Sequence, residues 1–236
     1  MAPSVSPDDA PLDVAALVGS LERHGVEYLV VGGIAAQGYG AARPTKDFDC
    51  LVRREQANLD RLAVAMVELG ARLRVGGLSD EEARALPVQM DGAMLAQNEI
   101  STWRTDAGDL DVLTNLPARD GRRLGYEDLV HRANIVQGDG FVVRAANLAD
   151  IVASKEWADR PKDREALAEL REILAERPNR APEPIGGSTT GLSIGRLIDI
   201  SHSSPSETAP RDHPNTETPL DQGPEVEHGT TGPEMG

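Results

Sequence analysis

The stretch Asp47-Phe48-Asp49 constrains this chain more than any other. It heads the apolar run DFDCLV, which reads as a strand over Phe48 to Val52. Alternate residues of a strand face one side. Asp47 and Asp49 therefore project together, while Phe48 and Cys50 face a core. Two carboxylates that close raise each other's pKa and are unfavourable unless something positive lies between them. A divalent cation meets that need, and Mg²⁺ takes oxygen ligands. Asp111, in the apolar LDVL, is the best third acid. Asp109 shares its face and is the alternate.

A second feature precedes the pair. YLVVGG reads as a strand over Val26 to Val31 that ends in the turn Gly32-Gly33, with a short helix over Ile34 to Tyr39 behind it. Backbone N–H groups at such a junction can bind phosphate. Three carboxylates holding Mg²⁺ beside a phosphate-binding turn make a centre for phosphoryl or nucleotidyl transfer. Lysine usage agrees with this. Of 24 basic residues only Lys46, Lys155 and Lys162 are lysine, and all three fall in or beside candidate site segments. A compact ammonium suits phosphate as a point charge.

Other chemistries lack their residues. There is no G-x-x-x-x-G-K-[ST] phosphate loop and no G-x-S-x-G nucleophile elbow. Gly38-Tyr39-Gly40-Ala41-Ala42-Arg43 begins like a dinucleotide fingerprint but carries Arg at the third glycine. The five histidines have no zinc-ligand spacing. A single cysteine, Cys50, allows no internal disulfide and fits a reducing cytoplasm. The acidic opening MAPSVSPDDAPLD has no apolar signal region, and no run of eighteen apolar residues predicts a membrane span.

Net charge is −15, unevenly spread. Residues 181–236 hold nine acids and two bases, and the first 180 hold thirty acids and twenty-two bases. A nucleic-acid partner needs a local basic patch. The stretches at 119–123 (ARDGRR) and 160–164 (RPKDR) are the candidates, with solvated turns as the simpler reading. Trp103 and Trp157 read as packing residues rather than base-stacking platforms.

The organisation is α-β-α-β-α, then antiparallel strands, then helices. Helices are expected over Leu12 to His24, Gln56 to Leu69, Asp80 to Ala85, Leu148 to Ala158 and Asp163 to Ala175, with a break at Pro161. Hairpins are expected to turn at Asp106-Ala107-Gly108, with Asp109 to Leu113 as second strand, and at Gly138-Asp139-Gly140. The fold class is thus α/β (α+β), a small mixed sheet covered by helices with a C-terminal helical portion. Residues 1–12 are expected to be a flexible N-terminus, 13–177 a folded domain, and 178–236 a disordered acidic tail rich in Pro, Gly, Ser and Thr. One apolar island, Leu192 to Ile200, interrupts that tail.

GG followed by R-P-T-K-D-F-D and later by D-L-D-V-L resembles the signature of the DNA polymerase β-like nucleotidyltransferase superfamily, over about residues 13 to 175. Within it, IVASKEWADRPKDREAL resembles the closing helices of AbiEii/MenT-type toxin nucleotidyltransferases. The resemblance implies that Gly32 and Gly33 hold the NTP phosphates, with Arg43 and Lys46 near the triphosphate. It implies that Asp47, Asp49 and Asp111 bind Mg²⁺, and that Lys155 and Asp163 reach into the cleft from the helical half. MenT-like toxins transfer nucleotides to the 3′ end of tRNA, and some are silenced by a cognate antitoxin that phosphorylates a Ser or Thr two residues before the first aspartate. Thr45 stands there, and a phosphate would add about −1.5 to −2 charge beside the metal site. Transfer to a protein hydroxyl, or to a small molecule such as an aminoglycoside, is the alternative chemistry. A non-catalytic nucleotide-binding regulator is the alternative class.

Overall fold

Asp13 opens the first helix by accepting a 2.9 Å hydrogen bond from the N–H of Ala16, and Gly25 (φ +64°) follows its end. This helix, α1 (Val14–Arg23), buries Leu17 and Leu21 completely. The structure is a computed structural model that describes residues 11–176, all within the unit Met1–Thr189. The second unit, Thr190–Gly236, lies outside the described residues, and with it the expected tail and the Leu192 to Ile200 island.

After α1 come β1 (Tyr28–Val30), α2 (Gly32–Gly38), β2 (Asp47–Val52), α3 (Gln56–Glu68) and the two-residue β3 (Arg72–Leu73). Two short helices follow, α4 (Asp80–Arg84) and α5 (Gly92–Ala96). Then come the hairpin β4 (Ile100–Thr105) and β5 (Gly108–Leu113), and the small ribbon β6 (Leu116–Pro117) and β7 (Arg123–Leu124). The described residues end with α6 (Tyr126–Leu129), a one-turn 3-10 helix (Val130–Arg132), β8 (Asn134–Gly138), β9 (Phe141–Ala145), α7 (Leu148–Ala158) and α8 (Pro161–Glu176).

Seven strands form one mixed sheet in the order β3-β4-β5-β2-β1-β9-β8. The β2–β5 and β1–β9 pairs are parallel and the other four antiparallel. The expected mixed α/β sheet covered by helices is therefore present. Phe48, Cys50, Leu51, Trp103 and Leu110 are wholly buried, as a central strand pair packed against helices requires. Among the described residues no helix is long and apolar enough to cross a membrane.

Element boundaries depart from expectation at one instructive place. The first strand stops at Val30, and Gly32 and Gly33 are the first residues of α2 rather than a turn preceding it. The chain passes through extended Val31 and bends at Gly32 with φ +62°, a conformation that L side chains rarely adopt. The short elements β3, β6, β7, α5 and α6 escaped the sequence reading because two to five residues are too few to show a period.

Candidate active site

The central parallel pair builds the site. In the register of β2 against β5, Asp47 stands beside Asp109 and Asp49 beside Asp111. Carboxylate oxygens of Asp47, Asp49 and Asp111 all lie within 4.8 Å of one another. Burial first, then Asp47 and Asp111, push Asp49 up to about 7. Burial likewise raises Asp111, with Asp47 and Asp109 adding to it against Arg74. Three hard oxygen donors, two of them reluctant to ionise, form a set that a divalent cation fits.

Ion pairing separates the two acids of β5. Arg104 Nε donates to Asp109 at 3.0 Å and Arg74 to Asp109 at 2.7 Å. Together they outweigh burial and hold Asp109 below the usual carboxylate range. Asp111 meets Arg74 only at 3.3 Å and turns its remaining oxygen capacity to the triad. Neither arginine was singled out in the sequence: nothing local ties Arg74 to the LDVL strand, whereas Arg104 stands opposite Asp109 across the expected hairpin and was legible from its register.

The glycines are explained by what lies against them. A Cβ on Gly32 would fall onto the Asp49 carboxylate, and one on Gly33 would lie 2.6 Å from both Cβ and Oγ1 of Thr45. The backbone of Gly33 lowers the Asp49 pKa in part, against the larger effect of burial. Thr45 donates to Asp47 Oδ1 at 2.6 Å. The Gly-Gly junction, Thr45 and the two aspartates are thus a single packed unit.

These residues line a cavity of about 420 Å³. Its walls also carry Arg43, Lys46, Lys155, Arg160 and Lys162, so all three lysines of the chain face it. Five cations against the triad and Glu169 suit an anionic ligand. Arg43 is held by Glu165 at 2.9 Å, and Glu169 accepts from the Ala42 N–H at 2.7 Å, so the 42–43 loop is tied to α8.

Asp163 does not sit where the resemblance implies. It is not part of the cavity wall; its side chain is 0% exposed and lies behind that wall, between Lys155 Nζ at 3.2 Å and Arg160 Nε at 2.6 Å. Burial favours its neutral form, but Arg160 and Lys155 outweigh that and hold it below the ordinary carboxylate range. Its physical effect is to orient two cations. Arg160, passed over in the sequence as part of a basic turn, lines the cavity instead.

No protein-family model matches this sequence, and no curated protein matches it either. Three solved structures share part of its course. A chain from Thermotoga maritima provisionally assigned as a nucleotidyltransferase is 14% identical, over 68% of this chain and 89% of that one, with a TM-score of 0.39. The antibiotic-resistance factor ANT(2″)-Ia is 15% identical over 69% and 81%, with a TM-score of 0.43. The lincosamide antibiotic adenylyltransferase LnuA, in its lincomycin-bound form, is 12% identical over 69% and 99%, with a TM-score of 0.45. At these identities and scores the three carry no role for any residue of this chain.

Proposed function

We propose that this protein is a Mg²⁺-dependent nucleotidyltransferase that moves NMP from an NTP to an acceptor hydroxyl. One observation carries the reading: three carboxylates converge within 4.8 Å in a cavity that five cations also line. Asp47, Asp49 and Asp111 would hold the metal, which when bound supplies charge neutralisation for the reacting phosphates. Lys155 and Arg160, braced from behind by Asp163, present positive charge to the anionic donor. Arg43, Lys46 and Lys162 extend that field around the cavity, and Gly32 and Gly33 allow the backbone to approach the phosphates. The resemblance gives Asp111 the part of accepting the acceptor's proton, while Asp109 is taken up by Arg74 and Arg104. The whole-chain charge of −15 does not extend to the cavity, which supports an anionic donor over a polycationic ligand there.

The finer reading follows the resemblance to AbiEii/MenT-type enzymes. The acceptor is the 3′ end of an RNA such as tRNA, and the setting is a toxin–antitoxin pair. Thr45, hydrogen-bonded to Asp47, is then the residue a cognate antitoxin would phosphorylate, since a phosphate there repels the triad and the NTP.

The test incubates the protein with Mg²⁺, each α-labelled NTP and total tRNA, with Asp111→Asn alongside. Label entering RNA with the wild type and not with the variant is the expected result. Label on protein moves the acceptor elsewhere, and absence of NTP binding by calorimetry removes the transferase reading itself.

A further inference from the structure

The β6–β7 ribbon (residues 116–124) leaves β5 three residues after Leu113, and so only a few residues beyond Asp111. Its tip, Arg119 to Arg123, is seated on the end of α7. Gly121 (φ +83°) lies so close to Trp157 that a Cβ there would stand 2.7 Å from the indole ring. The Arg123 guanidinium lies 6.0 Å from the centroid of the same ring, within the range of a cation–π contact. Trp157 is nevertheless 48% exposed, whereas Trp103 is wholly buried. Full burial would roughly double the area this indole removes from water, so packing alone does not account for leaving it half open.

Charge gathers around this ring. Arg119 and Arg122 are each 74% exposed. Arg119 and Arg171 share one carboxylate, Glu156, at 2.7 Å each, and Arg122 pairs with Asp120 at 2.7 Å. With Arg123 that is four guanidinium groups on two carboxylates, in a chain whose overall charge is strongly negative. Trp157 stands on α7, the helix that also carries Lys155 of the cavity wall.

A half-exposed indole beside guanidinium groups is an arrangement that suits single-stranded nucleic acid. Bases stack on the ring whatever their sequence, and the cations follow the phosphates. We infer that the Arg119–Arg123 tip and Trp157 form a docking face for a single-stranded nucleic acid. Trp157 stacks on a base, and Arg119, Arg122 and Arg123 contact phosphates. That the docked strand is the acceptor rests on the transferase reading above; that the face binds a strand does not.

The experiment uses the full chain and a fluorescein-labelled twelve-nucleotide oligo-U, followed by anisotropy between 50 and 200 mM KCl. Mg·ATP binding is measured by calorimetry on the same samples. The wild type is expected to bind, with affinity falling as salt rises. Arg122→Gln with Arg123→Gln removes two phosphate contacts, so the log–log salt slope loses about 1.4 in magnitude. Trp157→Ala weakens binding about 5- to 150-fold with the slope unchanged, and Trp157→Tyr retains most of the affinity. Mg·ATP binding stays at the wild-type value in every variant, which marks the fold and cavity as intact. No oligo-U binding by the wild type, or equal affinity in wild type and variants, overturns the docking face. Tighter binding of poly-glutamate than of oligo-U, insensitive to Trp157→Ala, overturns it in favour of an acidic polypeptide. Oligo-U binding through these residues with no Mg·ATP binding would leave the docking face standing and remove the transferase reading.

Discussion

The hydroxyl of Thr45 donates a 2.6 Å hydrogen bond to Oδ1 of Asp47, one residue beyond its immediate neighbour in the chain. A charge-assisted bond of this length orients the carboxylate and takes up one of its lone pairs. Loss of the Thr45 hydroxyl therefore acts on the triad.

Thr45→Ser keeps the hydroxyl and is expected to leave nucleotidyl transfer near wild type. Thr45→Ala frees the Asp47 carboxylate to rotate and lowers the rate about tenfold, in line with the loss of one charge-assisted bond. Thr45→Glu sets a further negative charge against Asp47 and lowers it more than about 100-fold. Transfer assays on the three variants check the order; a Glu variant as active as the Ala variant would remove the charge argument.

Thr45 also explains Gly33. With Cβ and Oγ1 of Thr45 2.6 Å from where a Gly33 side chain would start, Gly33→Ala forces α2 and the 45–47 segment apart. The expected cost is about 2 kcal/mol, typical of overpacking. Thr45→Gly makes room, so the double variant should cost clearly less than the sum of the singles in denaturant melts. Simple additivity would mean that crowding is not what demands the glycine.

Asp49 gives the metal-free protein a pH dependence. Burial, then Asp47 and Asp111, raise its pKa to about 7, whereas in the unfolded chain it ionises near its ordinary value, about 4. Between those values the unfolded chain releases a proton that the folded one retains, so stability falls as pH rises from about 4 to about 7 and is level above. Asp49→Asn removes the effect. Its gain in unfolding free energy in EDTA, read from denaturant melts, should be near zero at pH 4, grow to pH 7 and stay constant to pH 8, where it reaches at most about 4 kcal/mol. Mg²⁺ should stabilise the wild type and not this variant. A gain that does not change with pH would show that Asp49 ionises normally.

Asp163 has the opposite sign. Arg160 and Lys155 outweigh its burial and hold its pKa below the ordinary value. The stability it contributes is present above the unfolded pKa and is lost as pH falls through the folded one. Asp163→Asn leaves two cations beside a neutral amide and is expected to cost about 3 kcal/mol at pH 7, as broken buried pairs do. The cost should shrink toward pH 3. Because Lys155 and Arg160 also lose their brace, NTP binding should weaken at pH 7 even where the variant remains folded. Unchanged stability across the whole range would mean the carboxylate is not ion-paired.

Local sequence determined the parts whose physics is local. Strand alternation alone placed Asp47 and Asp49 on one face with Phe48 and Cys50 in the core, and the periods of the longer helices and both hairpin turns were readable in the same way. Tertiary structure decided what depends on register and pairing between distant segments. The parallel match of β2 with β5 put Asp111 beside Asp49, and Arg74, 35 residues away, joined the hairpin neighbour Arg104 in taking Asp109 out of contention. The packing of α8 against α7 buried Asp163 behind Lys155 and Arg160 instead of in the cleft. It also left Trp157 half open where its sequence suggested a packing residue. A side chain's direction along its own strand follows from two neighbouring peptide units. Which charges it meets depends on how strands and helices are then brought together, as when Arg74 reaches Asp109 from 35 residues away, and no period in the sequence encodes that meeting.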